Sequence, residues 1–194
     1  MSAIPINAIP MKIIPTVLHG QYEREKFRRN SSCPELWLKL DEVKDPEIPV
    51  LSLWDMGILK DIQKERNKVT VTITPTYSGC PAMDIITEDI QSIFSADGDA
   101  NGIDECSVKI ELSPAWTTDW MTDKGRNQLR SYGIAPPNDV VNGETQELSS
   151  DTQVLCPHCS SENTHMVSEF GSTACKALFQ CNDCSEPFDL FKHI

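Results

Sequence analysis

The chain is poor in basic residues and has no long apolar run. Its 194 residues include 17 Lys and Arg against 29 Asp and Glu, which gives a formal net charge of −12. Nucleic-acid binding depends on Lys and Arg that neutralise phosphates, so this balance argues against nucleic acid as a partner. Apolar runs stay well below the roughly 18 residues of a membrane helix, so we expect no transmembrane segment and no membrane partner.

Histidine is scarce as well. The chain has four histidines, and none lies between His19 and His158. A cysteine hydrolase needs a base beside its nucleophile, and that base is most often histidine. We therefore expect a protein that is not a catalyst on its own. A thiol hydrolase whose base is a carboxylate or a C-terminal histidine stays as the minor alternative.

The eight cysteines are numerous enough for a disulfide framework, but their arrangement indicates metal ligands. Four of them form two C-x-x-C pairs, and no secretory signal precedes them, since Pro5, Pro10 and Pro15 interrupt the isoleucine-rich start. We therefore expect bound metal in a reducing cytoplasm. Residues 1–33 are predicted to be a flexible N-terminal extension. The alternative is that they form an arm that docks on an acidic partner surface.

The two pairs, Cys156 with Cys159 and Cys181 with Cys184, are separated by 21 residues. Each C-x-x-C turn places two sulfurs on one side of a knuckle, and two knuckles complete a tetrahedral site. A segment of about 40 residues buries too little apolar surface to fold alone, so metal would supply much of its folding energy. We predict a zinc ribbon of three short strands over 154–194, with structural zinc. Iron in a rubredoxin-like site is the rival.

Periodicity over 34–135 predicts a small α+β domain with the element order αββαβα. A strand at 69–73 alternates apolar and polar residues and should pair with the preceding strand in a hairpin. The apolar residues at 83–94 are spaced by three and four, which indicates an amphipathic helix. Ser32 should cap the first helix, and Gly133 should end the last one.

A polar, aperiodic segment at 136–153 separates the α+β domain from the ribbon. Its Gly, Ser, Thr and Asn content is typical of a flexible tether. We therefore expect two separate cores. Loss of a ribbon cysteine should then unfold 154–194 and spare 34–135.

Ser78-Gly79-Cys80-Pro81 leads from the end of a strand into a helix. Proline suits the first helical position, so Cys80 should lie at or beside the N-cap. Free N–H groups and the helix dipole would favour its thiolate there. A reactive thiol and an inert, buried core cysteine are equally good interpretations of these residues.

Four further residues are candidates for the same site. Asp45, Glu47 and Asp55 lie in the loops before the hairpin, where they either cap loops or orient groups near Cys80. Cys175 is a spare thiol beside Lys176, whose charge would lower the thiol pKa if the two side chains are close. The alternative for Cys175 is a buried ribbon cysteine.

The first domain resembles a family of small iron–sulfur assembly proteins that includes bacterial SufT and the eukaryotic cytosolic targeting factors. The resemblance rests on Asp45-Pro46-Glu47, Asp55-Met56-Gly57, Ser78-Gly79-Cys80-Pro81 and Ser113-Pro114-Ala115-Trp116. It implies that Cys80 is the reactive, cluster-transfer thiol, with a transient iron–sulfur cluster or iron as its cargo. A bridged cluster with one thiol per chain would need a partner ligand or a homodimer.

The span 34–194 is similar to the PaaD family, most specifically in the ribbon stretches 170–177 and 186–189. This resemblance implies an accessory protein of aerobic phenylacetate degradation. Its implied role is to help mature the iron or iron–sulfur centres of the phenylacetyl-CoA epoxidase or its reductase, which would be its protein clients. The alternative is a non-catalytic structural subunit of the oxygenase complex.

Overall fold

A computed structural model describes residues 16–96, 102–137, 148 and 152–194, which contain five α-helices and two β-sheets. A short 3-10 helix, Thr118–Trp120, precedes the last α-helix. The elements in chain order are α1 (Thr16–Arg29), α2 (Pro34–Leu40), α3 (Leu53–Met56), β1 (Leu59–Glu65), β2 (Lys68–Ile73), α4 (Ala82–Ala96), β3 (Glu105–Ile110), α5 (Asp123–Tyr132), β4 (Ile134–Ala135), β5 (Thr164–Ser168), β6 (Lys176–Cys181) and β7 (Pro187–Phe191).

The first sheet has the strand order β1-β2-β3. β1 and β2 pair antiparallel in the predicted hairpin, and β3 runs parallel to β2 after the crossover through α4. The alternating Val69, Val71 and Ile73 are buried, as are Ile86 and Ile90 on one face of α4. The α+β class, the hairpin and the amphipathic helix are therefore confirmed.

Of the two predicted helix caps, the one that ends α5 is observed and the one that begins α2 is not. Gly133 follows α5 with φ 94, and its N–H bonds the carbonyl groups of Arg130 and Leu129, so it is the predicted C-cap. Cys33, and not Ser32, precedes α2, where no side chain caps the helix. Pro34 at the first helical position has no N–H, which removes one of the donors that a cap would satisfy.

The N-terminal extension was expected to be flexible, but part of it is a packed helix. Residues 16–29 form helix α1, which packs on the first domain. The Arg24 guanidinium lies 4.2 Å from the centre of the Trp54 ring, and Arg28 forms an ion pair with Asp41. The prediction of a flexible unit over 1–33 is therefore wrong for α1, while residues 1–15 lie outside the described part of the chain. Helix α1 is held by arginine side chains that stack on an aromatic ring. Because such a helix needs no apolar face, its sequence shows no apolar stripe.

The second sheet has the strand order β4-β7-β6-β5. β5, β6 and β7 are the three predicted ribbon strands and pair antiparallel. The short β4, directly after α5, adds a parallel strand at the edge, with Ile134 opposite Asp189 and Ala135 opposite Leu190. The first domain thus contributes a strand to the ribbon sheet.

The two cores are not separate, in contrast to the expectation from the tether. Cys175 and Phe191 of the ribbon belong to the hydrophobic core of the first domain. The Phe191 ring lies 6.0 Å from the Trp116 ring, and the Thr118 N–H donates to the Ile194 carbonyl. Most of the predicted tether, residues 138–147 and 149–151, lies outside the described residues. None of the described helices is both long and apolar enough to cross a bilayer.

Candidate functional site

The four cysteines of the C-x-x-C pairs converge as predicted. Their sulfurs all lie within 4.8 Å of one another, with 3.7 Å between Cys156 and Cys184 and 3.5 Å between Cys159 and Cys181. A tetrahedron of thiolates about 2.3 Å from zinc has sulfur–sulfur distances of about 3.8 Å, so this donor set fits a zinc ion. Four protein ligands leave no open position, so the site can stabilise the ribbon but cannot activate water.

Side chains from both knuckles fix the positions of these ligands. The Asp183 carboxylate accepts hydrogen bonds from the Ser161 hydroxyl and the Asn163 amide, 2.5 and 2.7 Å long. The backbone N–H of Cys184 lies 3.5 Å from the Cys181 sulfur, and it and the Asp183 N–H lower the pKa of Cys181 against the opposing effect of burial, while the neighbouring thiols of Cys159 and Cys184 have raised pKa values. Cys181 therefore ionises more readily than an ordinary thiol and is prepared for a metal.

Cys80 lies two residues before the first residue of α4. Its side chain is half-buried and packs against the core of the first domain. The Ala82 backbone N–H lowers the pKa of the Cys80 thiol, as expected for a residue beside a helix start. The predicted position is thus correct to within a residue.

The electrostatic environment of Cys80 is opposite to the one expected. Burial raises the pKa of the Cys80 thiol, the Ala82 N–H opposes this rise, and the negative charges of Asp45 and Glu47 and the thiol of Cys175 raise the pKa further. The helix start thus acts on Cys80 in the predicted direction, but burial and the nearby negative charges outweigh it, so the net shift of the Cys80 pKa is upward. The sequence indicated these neighbours, but not that burial and their combined charge would outweigh the helix start, because both depend on tertiary packing.

Asp45 caps its own loop, which is one of the two roles that the sequence left open. Its buried carboxylate accepts hydrogen bonds from the backbone N–H groups of Glu47 and Ile48, 2.9 and 2.8 Å long, and so closes its own loop. Burial raises the pKa of Asp45, while these two N–H groups and Lys176 lower it. The loop geometry also places Asp45 and the exposed Glu47 within electrostatic range of Cys80.

Cys175 brings a second thiol to the same place from the ribbon. It is only 6% exposed, and its sulfur lies 3.1 Å from the Thr173 hydroxyl. Burial raises the pKa of Cys175 and Glu47 adds to the rise, against the opposing effects of Thr173 and Lys176. Lys176 thus acts in the expected direction but does not make Cys175 reactive, because burial dominates.

Asp55 is held in a different set of contacts. Its carboxylate accepts hydrogen bonds from Ser52, Thr122 and Lys124, 2.9, 2.8 and 2.7 Å long. It is not among the groups that shift the pKa of Cys80. These contacts join α3 to the start of α5 and agree with the first of the two interpretations of Asp55, a loop cap.

Tyr77 is a member of the cluster that the sequence did not single out. Its carbonyl accepts a hydrogen bond from the Cys80 N–H, 3.1 Å long. Burial raises the pKa of the Tyr77 phenol, and Cys80, Cys175 and Glu47 raise it further. The sequence feature that could have indicated Tyr77 is its position three residues before Cys80 in the same turn. We name Cys80, Cys175, Asp45, Glu47 and Tyr77 the thiol–carboxylate cluster.

Replacing Glu47 with Gln should speed the alkylation of Cys80 by iodoacetamide at pH 7.5. Removal of a neighbouring negative charge lowers the thiol pKa, so the thiolate fraction and the rate should rise by roughly two- to fivefold. Peptide mass spectrometry of the native protein measures the rate at each cysteine. The exposed Glu42 provides the control substitution Glu42→Gln. Equal rates in the two variants would show that Glu47 does not act on Cys80.

Comparison with known proteins agrees with the division into an assembly-type domain and a ribbon. Residues 35–97 match the family model of an iron–sulfur cluster assembly protein, and residues 141–192 match that of the PaaD zinc beta ribbon domain. A protein of Escherichia coli (strain K12), whose name describes it as a subunit of 1,2-phenylacetyl-CoA epoxidase, is 44% identical over 160 residues. That alignment covers 82% of this chain and 92% of the relative. The chain belongs to the PaaD family.

Relatives of the first domain extend beyond PaaD proteins. An Fe-S protein maturation auxiliary factor of Porphyromonas gingivalis is 32% identical over 91 residues, which are 46% of this chain and 83% of the relative. A crystal structure of a DUF59 domain from Bacillus anthracis is 25% identical, covering 56% of this chain and 95% of that chain, with a TM-score of 0.45. The PaaD ribbon match includes all four converging cysteines.

Proposed function

We propose that this chain is a cytoplasmic accessory protein of aerobic phenylacetate degradation. In this role it helps mature the iron or iron–sulfur centres of the phenylacetyl-CoA epoxidase or its reductase. One observation carries the proposal: the segment that matches iron–sulfur cluster assembly proteins contains Cys80, Asp45 and Glu47, in a chain most of which aligns with a relative named as an epoxidase subunit. The chemistry required is binding and release of a metal cargo, and the cluster offers thiol and carboxylate donors for it.

The residues around Cys80 favour a protonated thiol in the absence of metal and a thiolate when a cation is bound. Nearby carboxylates disfavour the free thiolate, and the same negative charges favour a bound positive ion. Cys80 would therefore stay protonated, and resistant to oxidation, until iron or a cluster arrives as substrate. The ribbon metal would hold the C-terminal strands folded, and with them Cys175 against the first domain.

Replacing Cys80 with Ser should leave the fold intact and lower the iron content of the clients. The epoxidase subunits and the reductase would be produced together with either the wild-type chain or the variant, and their iron per chain measured by elemental analysis. Since serine is a poor ligand for iron, we expect a loss of at least half of the client iron.

The matched control is Cys106→Ser, which removes a half-buried thiol on β3 outside the cluster. It should give the client iron content of the wild type. Unchanged client iron and turnover with Cys80→Ser would remove this thiol from any maturation role.

The second candidate function is a structural subunit of the oxygenase complex. The name of the E. coli relative, which calls it a subunit, favours this alternative. The two functions differ after maturation is complete. Enzyme matured with this chain and then freed of it should keep its turnover if the chain is a maturation factor, and should lose it if the chain is a structural subunit.

A further inference from the structure

A cavity of about 650 Å³ lies between helix α1 and the outward face of the first sheet. Val69 and Val71 of β2 point into the first core, so the alternate residues Thr70 and Thr72 point outward and line the cavity. Phe27 of α1, which is 52% exposed, forms part of the opposite wall. Both family matches begin after α1, so the matched assembly domain alone does not form this cavity. Its volume is within the range of small-molecule sites, about 300–1,000 Å³.

The register of the three strands builds the floor of the cavity. Asp61 of β1 lies opposite Thr72 of β2, which in turn lies opposite Lys109 of β3. Residues opposite one another share a face of the sheet, so these three side chains form one outward row. The Asp61 carboxylate accepts hydrogen bonds from the Ile62 N–H and the Gln63 amide, each 2.7 Å long. Its charge is therefore already stabilised within β1.

Cations outnumber the carboxylates that could balance them on this floor. Lys60 and Lys109 both form ion pairs with Glu111, with nitrogen–oxygen distances of 3.0 and 2.7 Å. One carboxylate thus balances two ammonium groups, in a chain whose formal net charge is −12. Lys26 and Glu23, which also line the cavity, lie 3.8 Å apart and balance each other. The floor therefore keeps an excess of positive charge.

Arg24 contributes a further cation from α1. Its guanidinium donates hydrogen bonds to the backbone carbonyl groups of Trp54, Leu59 and Trp120, which are neutral partners. Burial lowers the pKa of Arg24 to about 10, although the charge of Asp55 acts to raise it. A buried cation with neutral partners is stabilised when an anion binds beside it. The cavity thus combines cations from both of its walls with an exposed aromatic ring.

We propose that this cavity binds a small organic anion, a carboxylate that carries an aromatic ring. The carboxylate would lie between Arg24 of α1 and the sheet lysines Lys60 and Lys109, and its ring would pack against Phe27. Because the two walls belong to different elements, a bound ligand would hold α1 against the sheet. This inference goes beyond the maturation role and does not depend on it.

The test is a titration of the isotope-labelled, metal-loaded, full-length protein with 2-naphthoate at low ionic strength, followed by amide chemical shifts. The uncharged 2-naphthamide is the matched probe, because it keeps the rings and lacks the charge. We expect saturable shifts in residues 23–30 and in β1–β3, and binding of the amide that is at least about tenfold weaker. No saturable shift, shifts confined to other parts of the chain, or equal binding of the two probes would overturn the proposal.

Two substitutions with opposite expected effects test the charges on the floor. Lys109→Gln removes a cation and should weaken naphthoate binding by about two- to fivefold. Glu111→Gln removes the carboxylate that competes for both lysines and should strengthen binding by a similar factor. The control is Lys44→Gln, which removes an exposed lysine outside the cavity and changes the net charge equally. It should bind as the wild type does, and equal effects of the two lysine substitutions would contradict the site.

Hydrogen exchange in α1 tests the bridging of the two walls without any substitution. A ligand that binds only when α1 is docked slows exchange through undocking, by about tenfold at ten times its Kd. Slower exchange in residues 20–29 with naphthoate, and not with the amide at the same concentration, is the expected result. Unchanged exchange at saturation would show that the anion does not join α1 to the sheet. None of these outcomes alters the client iron expected with Cys80→Ser, so the two proposals fail separately.

Discussion

Replacing Cys159 or Cys184 with Ala is expected to unfold the ribbon and to destabilise the first domain with it. Structural zinc sites have apparent binding free energies of about 10–16 kcal/mol at pH 7, far more than a segment this small gains from its own core. An unfolded ribbon withdraws Phe191 and Cys175 from the first core. Deleting a buried Phe typically costs about 3–5 kcal/mol, so the first domain should lose stability of that order.

Hydrogen exchange measured by mass spectrometry can follow the two parts separately. Faster exchange is expected in β5–β7 and also in β1 and β2, the hairpin whose inward-facing residues lie in the first core. The matched control is His158→Ala, which changes an exposed residue between two ligands without removing a sulfur. Unchanged exchange in β1 and β2 after cysteine loss would mean that the two cores are separate, as the polar segment between them predicts.

Replacing Asp55 with Ala should destabilise the first domain by about 3 kcal/mol, because Ser52 and Thr122 lose a buried acceptor. Lys124 contributes less, since 68% of its side chain is exposed. Urea denaturation of the metal-loaded protein measures the difference. The exposed Asp89 in α4 provides the control Asp89→Asn, for which we expect a change within about 0.5 kcal/mol.

The lowered pKa of Asp55 predicts that the protein loses stability as the pH falls. Burial alone would raise its pKa, but hydrogen bonds from Lys124, Thr122 and Ser52 lower it below the ordinary value. Its stabilising contribution is therefore complete above the pKa of the unfolded chain and is lost as the pH falls through the lower folded pKa. The wild type should lose more stability than Asp55→Asn between about pH 4.5 and pH 3. If the free energy of unfolding falls equally in the two proteins over this pH range, the Asp55 charge does not contribute to stability.

The parts of the fold with a strong local signal were predictable from the sequence. The hairpin alternates Val69, Val71 and Ile73 with polar residues, α4 has regular apolar spacing, and the C-x-x-C pairs determine the ribbon. Helix α1 had no such signal. Arg24 and Arg28 stack on the Trp54 ring. The sequence does not distinguish an arginine that stacks on a ring from one that is exposed to solvent.

The candidate site was predictable in its residues but not in its chemistry. The sequence indicated Cys80 with four supporting residues, of which Asp45, Glu47 and Cys175 are among the groups that raise the Cys80 pKa. The fourth, Asp55, is held in other contacts. The direction of the Cys80 pKa shift depends on burial and on the charges of Asp45 and Glu47 and the thiol of Cys175, which tertiary packing brings near it. The two-residue strand β4 was missed for a related reason, because two residues cannot show a period.

The contact between Trp116 and Phe191 has a consequence for biosynthesis. Chains grow from the N-terminus, so the first domain leaves the ribosome before the ribbon that supplies part of its core. Until then the nascent chain exposes the surface that Phe191 will cover, and Cys80 lacks its neighbour Cys175. Completion of this core therefore follows synthesis of the ribbon, and contacts between such distant residues form slowly. Metal binding by the ribbon cysteines, which folds the ribbon, thereby becomes a step in completing the core of the first domain as well.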